Sequence, residues 1–353
     1  MFGFSVYLSK ELSADDHNYL LAMRNAGFQY VFTSLHLPED DASVVLSRLA
    51  QLAKWCKDLE LKIIADVSEA GFKKLGIDIN DIDQIKALNL YGLRIDDGIL
   101  MRTVAKLSQV MPIALNASTI TMEDLTHLKE ENANFDHLDA WHNFYPHPET
   151  GLDSEWLKEK NEWLRSFNLK TVGFVSGDGH KRGPLYDGLP TVEKYRYMNP
   201  LAASFALKKL ECDYVFIGDD SLKESTIRNF ARYFHDDVIT LHIDREIPQL
   251  TEKMWHNRPD VAADIIRLRE SRSLQLFDTT PQEVSNERDK GTITCDNDEY
   301  GRYAGEVQIT KTDLPARKKT NILGSIAWED LALLDYIGAN QAISFEYLKN
   351  LEK

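Results

Sequence analysis

The stretch ASVVLSRLAQLAKWCKDLELKIIADVS, residues 42–68, contains the repeating pattern that decides the fold. Its first part, 42–60, places apolar residues three and four positions apart, which predicts an amphipathic helix. Its second part, KIIADV at 62–67, is a short β-rich run that ends at a polar loop. A helix followed by a strand is therefore the unit to look for along the chain.

The same alternation continues through the first 237 residues. Further helical patterns occupy 122–135 and 154–167. The β-rich runs number eight, at 2–8, 30–35, 62–67, 91–96, 112–117, 137–144, 170–177 and 214–220. Eight such units are the number found in a (β/α)8 TIM barrel. A doubly wound open sheet is the competing architecture, but no GxGxxG motif follows the first strand, and this favours the barrel.

The pattern changes from Val238 onward. Short strands are predicted at 238–244, 273–278, 290–296, 304–313 and 321–327, helical stretches at 260–270 and 328–336, and a last strand or helix at 341–350. Short strands joined by turn-rich segments are typical of a small, mainly antiparallel β-barrel domain. The prediction is an α/β protein with a TIM barrel at 1–237 and a mainly β domain at 238–353.

Composition excludes several classes of function. The 353 residues carry a formal net charge of -15, which argues against binding to nucleic acid or to a membrane surface. Three widely spaced cysteines, Cys56, Cys212 and Cys295, form no CxxC pair, so we expect reduced thiols and no zinc site. The first residues lack the basic region and apolar run of a signal peptide, and no run approaches about 18 apolar residues. We therefore expect a soluble, cytoplasmic protein.

The polar residues that follow the barrel strands are the first candidates for a site, because TIM-barrel active sites lie there. In LRIDDG (93–98), strand alternation places Arg94 and Asp96 on one face, and Asp97 begins the loop. Asp66 ends the preceding strand. A carboxylate beside a guanidinium suits a nucleophile or an orienting group. The alternatives are a buried ion pair at the top of the barrel and, for Asp66, a helix N-cap.

Three further segments carry candidate residues. DAWHNFYPHPETGLD (139–153) places a polar-aromatic cluster at the end of a strand, where Trp141 or Tyr145 could stack on a sugar ring. Because His142 and Asn143 lie on opposite faces of that strand, we expect only one of them to reach a ligand. VSGDGHKRGPLYDGLPTVEKYR (175–196) is a long loop with an anion-binding pattern at Lys181 and Arg182, or a solvated basic turn. ERDKGTITCDNDEYGRYAGEVQI (287–309) is either a second binding segment or an ordinary hairpin.

Several of these motifs together resemble one bacterial family. AWHNFYPHPETGLD, RGPLYDGLPTVEKYR, LRIDDG and FIGDD (216–220) are similar to the MupG-type 6-phospho-N-acetylmuramidases, formerly catalogued as uncharacterised "outer surface proteins". The resemblance implies a TIM barrel followed by a cyclophilin-like β domain. It also implies a cytoplasmic glycosidase that splits MurNAc-6-phosphate–GlcNAc into MurNAc-6-phosphate and GlcNAc, in peptidoglycan recycling after phosphotransferase uptake.

Residue roles follow from position. The predicted catalytic carboxylates are Asp66, Asp96, Asp97 and Asp178. The predicted substrate-binding residues are Tyr7, Arg94, Asn116, His142, Asn143, Tyr145, Lys181, Arg182, Glu193, Arg196 and Arg288. Retention, inversion and attack by the N-acetyl group of the substrate all stay open. The expected partner is a phosphorylated amino-sugar disaccharide, with no metal or nucleotide cofactor, and a homodimer is left open.

Two other classes of function compete with the glycosidase. One is a barrel lyase or isomerase acting on another phosphorylated sugar, but the strand ends carry no lysine for a Schiff base. The other is a non-catalytic protein that binds a sugar phosphate. The carboxylates repeated at the strand ends argue against it.

Overall fold

A computed structural model describes residues 1–35, 42–96, 98–283 and 286–348. Its backbone divides into two compact units, Met1–Ile227 and a second unit that begins at Arg228. This division falls inside a helix that spans Glu224–Asp236. The domain boundary expected from the sequence, at 237/238, stays a prediction.

The first unit contains a closed barrel of eight parallel strands, which confirms the predicted barrel. Each strand pairs with the next in the sequence, and the first pairs with the eighth to close the barrel. All eight predicted runs contain one strand: β1 Phe2–Ser5, β2 Tyr30–Ser34, β3 Lys62–Val67, β4 Gly92–Ile95, β5 Ile113–Asn116, β6 Leu138–Trp141, β7 Lys170–Val175 and β8 Tyr214–Ile217.

Helices connect these strands. The described bounds are α1 Ala14–Asn25, α2 Ala42–Asp58, α3 Glu69–Lys74, α4 Ile82–Ala87, α5 Met101–Ser108, α6 Met122–Glu130, α7 Ser154–Arg165, α8 Pro200–Lys209 and α9 Glu224–Asp236. Helix α2 buries one apolar stripe, Val45, Leu49, Leu52, Ala53 and Cys56, as its spacing predicts. Capping boxes begin α1 at Ser13 and α6 at Thr121, where each side chain accepts a hydrogen bond from the backbone N–H three residues later.

The second unit is a sheet domain, and its described strands form two sheets. A three-stranded sheet has the order β10–β15–β9, and a four-stranded antiparallel sheet has the order β11–β13–β12–β14. The bounds are β9 Val238–Ile243, β10 Trp255–His256, β11 Ile265–Arg267, β12 Thr292–Asp296, β13 Val307–Thr310, β14 Thr320–Ser325 and β15 Ala342–Tyr347, with helices α10 Pro248–Thr251 and α11 Ser271–Leu274. The cyclophilin-like character implied by the resemblance stays a prediction.

Two local predictions in the second unit are wrong. The stretch 260–270, expected to be helical, contains strand β11. Ile266 in the strand and Leu268 directly after it are buried, while Ile265 and Arg267 are less so. This is the two-residue period of a strand. The stretch 273–278, expected to be a strand, instead overlaps helix α11. Ser271 is fully buried there, and its Oγ donates to the carbonyl of Leu268 and holds the turn.

No helix among the described residues is both long enough and apolar enough to span a bilayer.

Candidate active site

The interior of the barrel below its carboxyl end is filled by aromatic rings. Phe32, Trp141, Phe174 and Phe216 pack with centroid separations of 4.5–6.0 Å. Gly3 leaves room for Phe216, because a Cβ at that position would lie 2.2 Å from the ring. Trp141 is only 1% exposed. The idea that Trp141 stacks on a sugar is therefore wrong, and the rings form part of the packed core inside the barrel.

Arg94 is the centre of the mouth. Its Nη1 donates to Asp66 Oδ1 at 2.5 Å, and its Nη2 donates to Asn143 Oδ1. The pairing of β3 with β4 explains the first contact, since Asp66 and Arg94 lie opposite each other. Arg94 is 4% exposed, and its Nε has no hydrogen-bond partner within the described part of the chain. Strands β3, β4 and the end of β6 thus converge on one buried cation, as the sequence suggested.

Two candidates follow strands β4 and β5. Asp96 is partly exposed, and its N–H donates to the carbonyl of Val67 at 3.0 Å, which continues the β3–β4 pairing into the loop. Asp97 lies outside the described residues. Asn116 is also partly exposed, and its Oδ1 accepts from the N–H of Ser118 at 3.1 Å. Asp96 and Asn116 therefore both lie at the strand ends where they were expected.

A second cation lies over Tyr7. The guanidinium carbon of Arg182 is 3.2 Å from the centre of the Tyr7 ring, a close cation–π contact. The Tyr7 hydroxyl donates to the carbonyl of Gly218 at 2.6 Å, and burial raises the pKa of Tyr7 above its ordinary value. Nη1 of Arg182 is buried without a hydrogen-bond partner in the described ranges. Such a group favours an incoming anion, because an unmade hydrogen bond to a buried charge is costly.

The long loop after β7 is held in place by Asp219. This carboxylate is fully buried and accepts from the N–H groups of Gly177, Arg182 and Leu189 at 2.8–3.1 Å. Burial raises the pKa of Asp219 from its ordinary value, although the three hydrogen bonds act in the opposite direction. The sequence placed Asp219 among the polar residues at the strand ends and in the FIGDD motif, but assigned it no role. Its place directly after β8 was the available signal, and its role is to position Arg182.

Glu193 and Arg196 are structural, so their prediction as substrate-binding residues is wrong. Arg196 donates to Glu193 through Nε and Nη2 at 2.7 and 2.6 Å, and to the carbonyls of Gly188 and His147. Glu193 also accepts from the N–H of Gly151 at 2.8 Å. The hydrogen bond from Arg196 is the main cause that lowers the pKa of Glu193 to about 2. Arg196 is buried, and the pair fastens the β7 loop to the β6 loop.

Asp178 forms two hydrogen bonds within the first unit, and its catalytic role stays a prediction. Its Oδ1 accepts from the N–H of Lys223 at 3.0 Å, and its Oδ2 accepts from Thr226 Oγ1 at 2.6 Å. Both oxygens are therefore engaged at the beginning of helix α9. A carboxylate is favourable there because the first N–H groups of a helix lack partners within it.

His142 faces away from the mouth, so its prediction as a substrate-binding residue is wrong. It is fully buried, and its Nε2 donates to Asn161 Oδ1 on α7 at 2.8 Å. This tautomer follows because the Asn161 amide nitrogen donates to the carbonyl of Leu210, which leaves Oδ1 as the acceptor. Burial lowers the pKa of His142 to about 4. Asn143, on the opposite strand face, is the one of the two that reaches the mouth.

The remaining predicted residues fall into two groups. Tyr145 and Lys181 are partly exposed: the Tyr145 N–H donates to the carbonyl of Pro190 at 2.9 Å, and Lys181 Nζ lies 5.3 Å from the centre of the Tyr197 ring. Lys181 lies in the same loop as Arg182, and Tyr145 contacts that loop through Pro190. Arg288 belongs to the second unit, where it is nearly buried.

No group of three or more metal-binding side chains occurs in the described ranges.

Comparisons with known proteins cover both units. A family described as 6-phospho-N-acetylmuramidase, N-terminal, matches residues 2–232, and its C-terminal counterpart matches 238–346. A solved structure of a conserved protein of unknown function from Enterococcus faecalis is 36% identical, with a TM-score of 0.92, and the match covers 100% of this chain and 98% of that one. An uncharacterized B. cereus protein is 25% identical, with a TM-score of 0.73 and coverage of 98% and 99%. No curated protein matches the chain.

Proposed function

The chain belongs to the 6-phospho-N-acetylmuramidase family, and from this premise we propose that it is a glycosidase that cleaves MurNAc-6-phosphate–GlcNAc into MurNAc-6-phosphate and GlcNAc. The observation that carries the proposal is the arrangement at the barrel mouth. Asp66 lies on β3 and Asp96 directly follows the neighbouring strand β4, and the buried guanidinium of Arg94 binds Asp66. Glycoside cleavage needs two carboxyl groups that flank the scissile bond.

The positions and contacts of the carboxylates support the following proposed roles. Asp66 is ion-paired with Arg94 and so suits the part of base, nucleophile or orienting group for the N-acetyl amide. Asp96 is the proposed general acid, which protonates the GlcNAc oxygen as its bond to the anomeric carbon of MurNAc-6-phosphate breaks. The hydroxyl of water ends on that carbon. Asp178 and Glu193 are not used, because hydrogen bonds to the protein engage both oxygens of each.

The phosphate-recognition part of the proposal rests on Arg182. Its stacking on Tyr7 and the hydrogen bond from its backbone N–H to Asp219 fix its position, while Nη1 is left without a partner among the described residues. Lys181 adds a second positive charge from the same loop. Glycines of the loop allow close backbone approach, as in other anion-binding turns. We propose that these two residues bind the 6-phosphate.

The decisive experiment is incubation of the purified protein with MurNAc-6-phosphate–GlcNAc and, separately, with the unphosphorylated disaccharide. The proposal expects cleavage of the phosphorylated compound and little cleavage of the other. Cleavage of neither would refute the glycosidase assignment, and equal cleavage of both would refute phosphate recognition alone. NMR of the anomer released first separates net retention from inversion.

Variants test the individual roles. D96N and D66N should each lower kcat by at least about a hundredfold, the scale typical of general acid–base catalysis. R182Q should reduce kcat/KM about ten- to hundredfold for the phosphorylated substrate and leave any activity on the unphosphorylated one unchanged. D153N is the matched control, because Asp153 is an exposed N-cap of α7 and asparagine caps equally well.

We also propose that the reaction takes place in the cytoplasm, as a step of peptidoglycan recycling. The proposal is supported by the family membership and by the phosphorylated substrate, which is produced during uptake. Cell fractionation tests it: activity confined to the membrane or to the medium would contradict it.

A further inference from the structure

The second unit has a pocket of its own, apart from any residue of the barrel mouth. Its volume is about 530 Å³, within the range of small-molecule sites. The four-stranded sheet supplies one wall, and the segments around Tyr300 and Pro315 supply the rest. The lining includes three arginines, Arg267, Arg288 and Arg317. Their concentration is unusual in a chain with a formal net charge of -15.

Arg288 is the most informative of these arginines. It is 6% exposed, and its backbone pairs with Leu314 through two hydrogen bonds of 2.9 Å. Its Nε donates to the carbonyl of Pro315 at 3.2 Å. Its two terminal amino groups have no hydrogen-bond partner, and it forms no ion pair, within the part of the chain that the structure describes. A nearly buried guanidinium with an unused bidentate face is suited to bind an oxyanion.

The charges around Arg288 favour the binding of an anion beside it. Arg317 lies close by and donates from Nη1 to the Tyr300 hydroxyl at 3.0 Å. Burial first, and then the charge of Arg317, lowers the pKa of Arg288. Asp296 also acts on Arg288 through its charge, but no hydrogen bond joins the two side chains among the described residues. Burial and the charge of Glu306 raise the pKa of Asp296 to about 7, so at neutral pH it neutralises Arg288 only in part.

The opposite wall presents acceptors and amides. Gln308 Nε2 donates to both Asp296 Oδ2 and Glu306 Oε2 at 3.1 Å. Glu306 is itself held by Arg267 through two hydrogen bonds of 2.9 and 3.0 Å. Asp296 is therefore positioned by Gln308 and still has an oxygen that can bond a hydroxyl. Carboxylates and amides of this kind are the usual partners of sugar hydroxyls.

We propose that this pocket binds a sugar that carries an oxyanion, with Arg288 and Arg317 holding the phosphate or carboxylate and Asp296 and Gln308 holding hydroxyls. Tyr300 completes the pocket, fixed by its hydrogen bond from Arg317. The inference goes beyond the reaction proposed for the barrel and does not depend on it. It makes the C-terminal unit a ligand-binding domain in its own right.

Calorimetric titration of the full chain tests this inference with four probes: glucose 6-phosphate, glucuronate, uncharged glucose and inorganic phosphate. One of the two charged sugars should bind, and the tighter of them identifies the oxyanion as a phosphate or a carboxylate. R288Q should weaken that binding about ten- to hundredfold, and R317Q should weaken it less. R245Q, at an exposed arginine of the same unit, is the matched control and should change nothing.

The design separates this site from the barrel mouth. R182Q should leave the binding event that depends on Arg288 unchanged, while R288Q should weaken it. R288K guards against a misfolded variant, since it keeps the charge and should show intermediate affinity. Unchanged binding in R288Q, or glucose binding as tightly as the charged sugars, would overturn the inference. Inorganic phosphate binding as tightly as glucose 6-phosphate would overturn the sugar assignment.

Discussion

Acidification should destabilise the barrel through His142, a residue that the sequence suggested for substrate binding. Burial in the barrel wall lowers the pKa of this imidazole to about 4 from 6.5. Between these values the unfolded chain binds a proton that the folded chain excludes, so the free energy of unfolding falls as the pH falls through 6.5. Above pH 6.5 His142 is neutral in both the folded and the unfolded chain, and the free energy of unfolding has its full value. It decreases by about 2 kcal/mol at pH 5 and by about 3 kcal/mol below pH 4.

The measurement is urea unfolding at pH 7.5 and pH 5.0, followed by tryptophan fluorescence. H142Q keeps a donor in the place of Nε2 for Asn161 but cannot take up the proton. Its loss of stability between the two pH values should be about 2 kcal/mol smaller than that of the unmodified protein. H127Q, at an exposed position of α6, is the matched control and should show the unmodified dependence. An H142Q variant that loses as much stability as the unmodified protein would refute the reasoning. A large fall in the kcat/KM of H142Q at pH 7.5 would instead support the earlier prediction that His142 binds substrate.

Three further substitutions test other contacts. Gly3→Ala should cost about 1–3 kcal/mol of stability, because its methyl group would lie 2.2 Å from a buried ring. Gly338→Ala is the control and should cost far less, because a methyl group there meets nothing within 4 Å. Equal melting temperatures of the two variants would contradict this. Arg196→Met should cost about 1–3 kcal/mol, because it removes the charged hydrogen bonds to the partly exposed Glu193, and adding E193Q should restore part of this stability in urea unfolding. Asp178→Ala should lower stability by about 1 kcal/mol with kcat unchanged, and a hundredfold loss of kcat would make Asp178 catalytic after all.

The barrel could be predicted from the sequence because each of its strands and helices is marked by a pattern within its own residues. Each strand is a short β-rich run, and each main helix carries its own apolar stripe. The failures in the second unit come from short elements. The stretch 260–270 has too few residues to separate a helical period from a strand period, so the burial of Ile266 and Leu268 decided it. Tertiary packing then outweighed local pattern.

The site could be predicted only in part, because the hydrogen-bond partners of its charged side chains are far away in the sequence. Parallel strands carry their carboxyl ends to one edge, and this is why Asp66, Arg94 and Asn143 could be expected together. A charged loop residue looks the same in sequence whether it binds a ligand or another loop. Asp178 bonds Thr226 across 48 positions, and Arg196 bonds a carbonyl 49 positions away. Nothing in the surrounding residues signals either contact.

The loop between β7 and α8 has one more consequence, for the kinetics of binding. Backbone N–H groups of the loop donate to the Asp219 carboxylate, and near the end of the loop Arg196 donates to two backbone carbonyls. Ordering a free loop costs about 1–2 kcal/mol per residue, and here that entropy is lost on folding, before any ligand arrives. A substrate therefore meets Arg182 already in position. Association should resemble docking onto a rigid surface, with a rate set by diffusion and orientation rather than by loop closure.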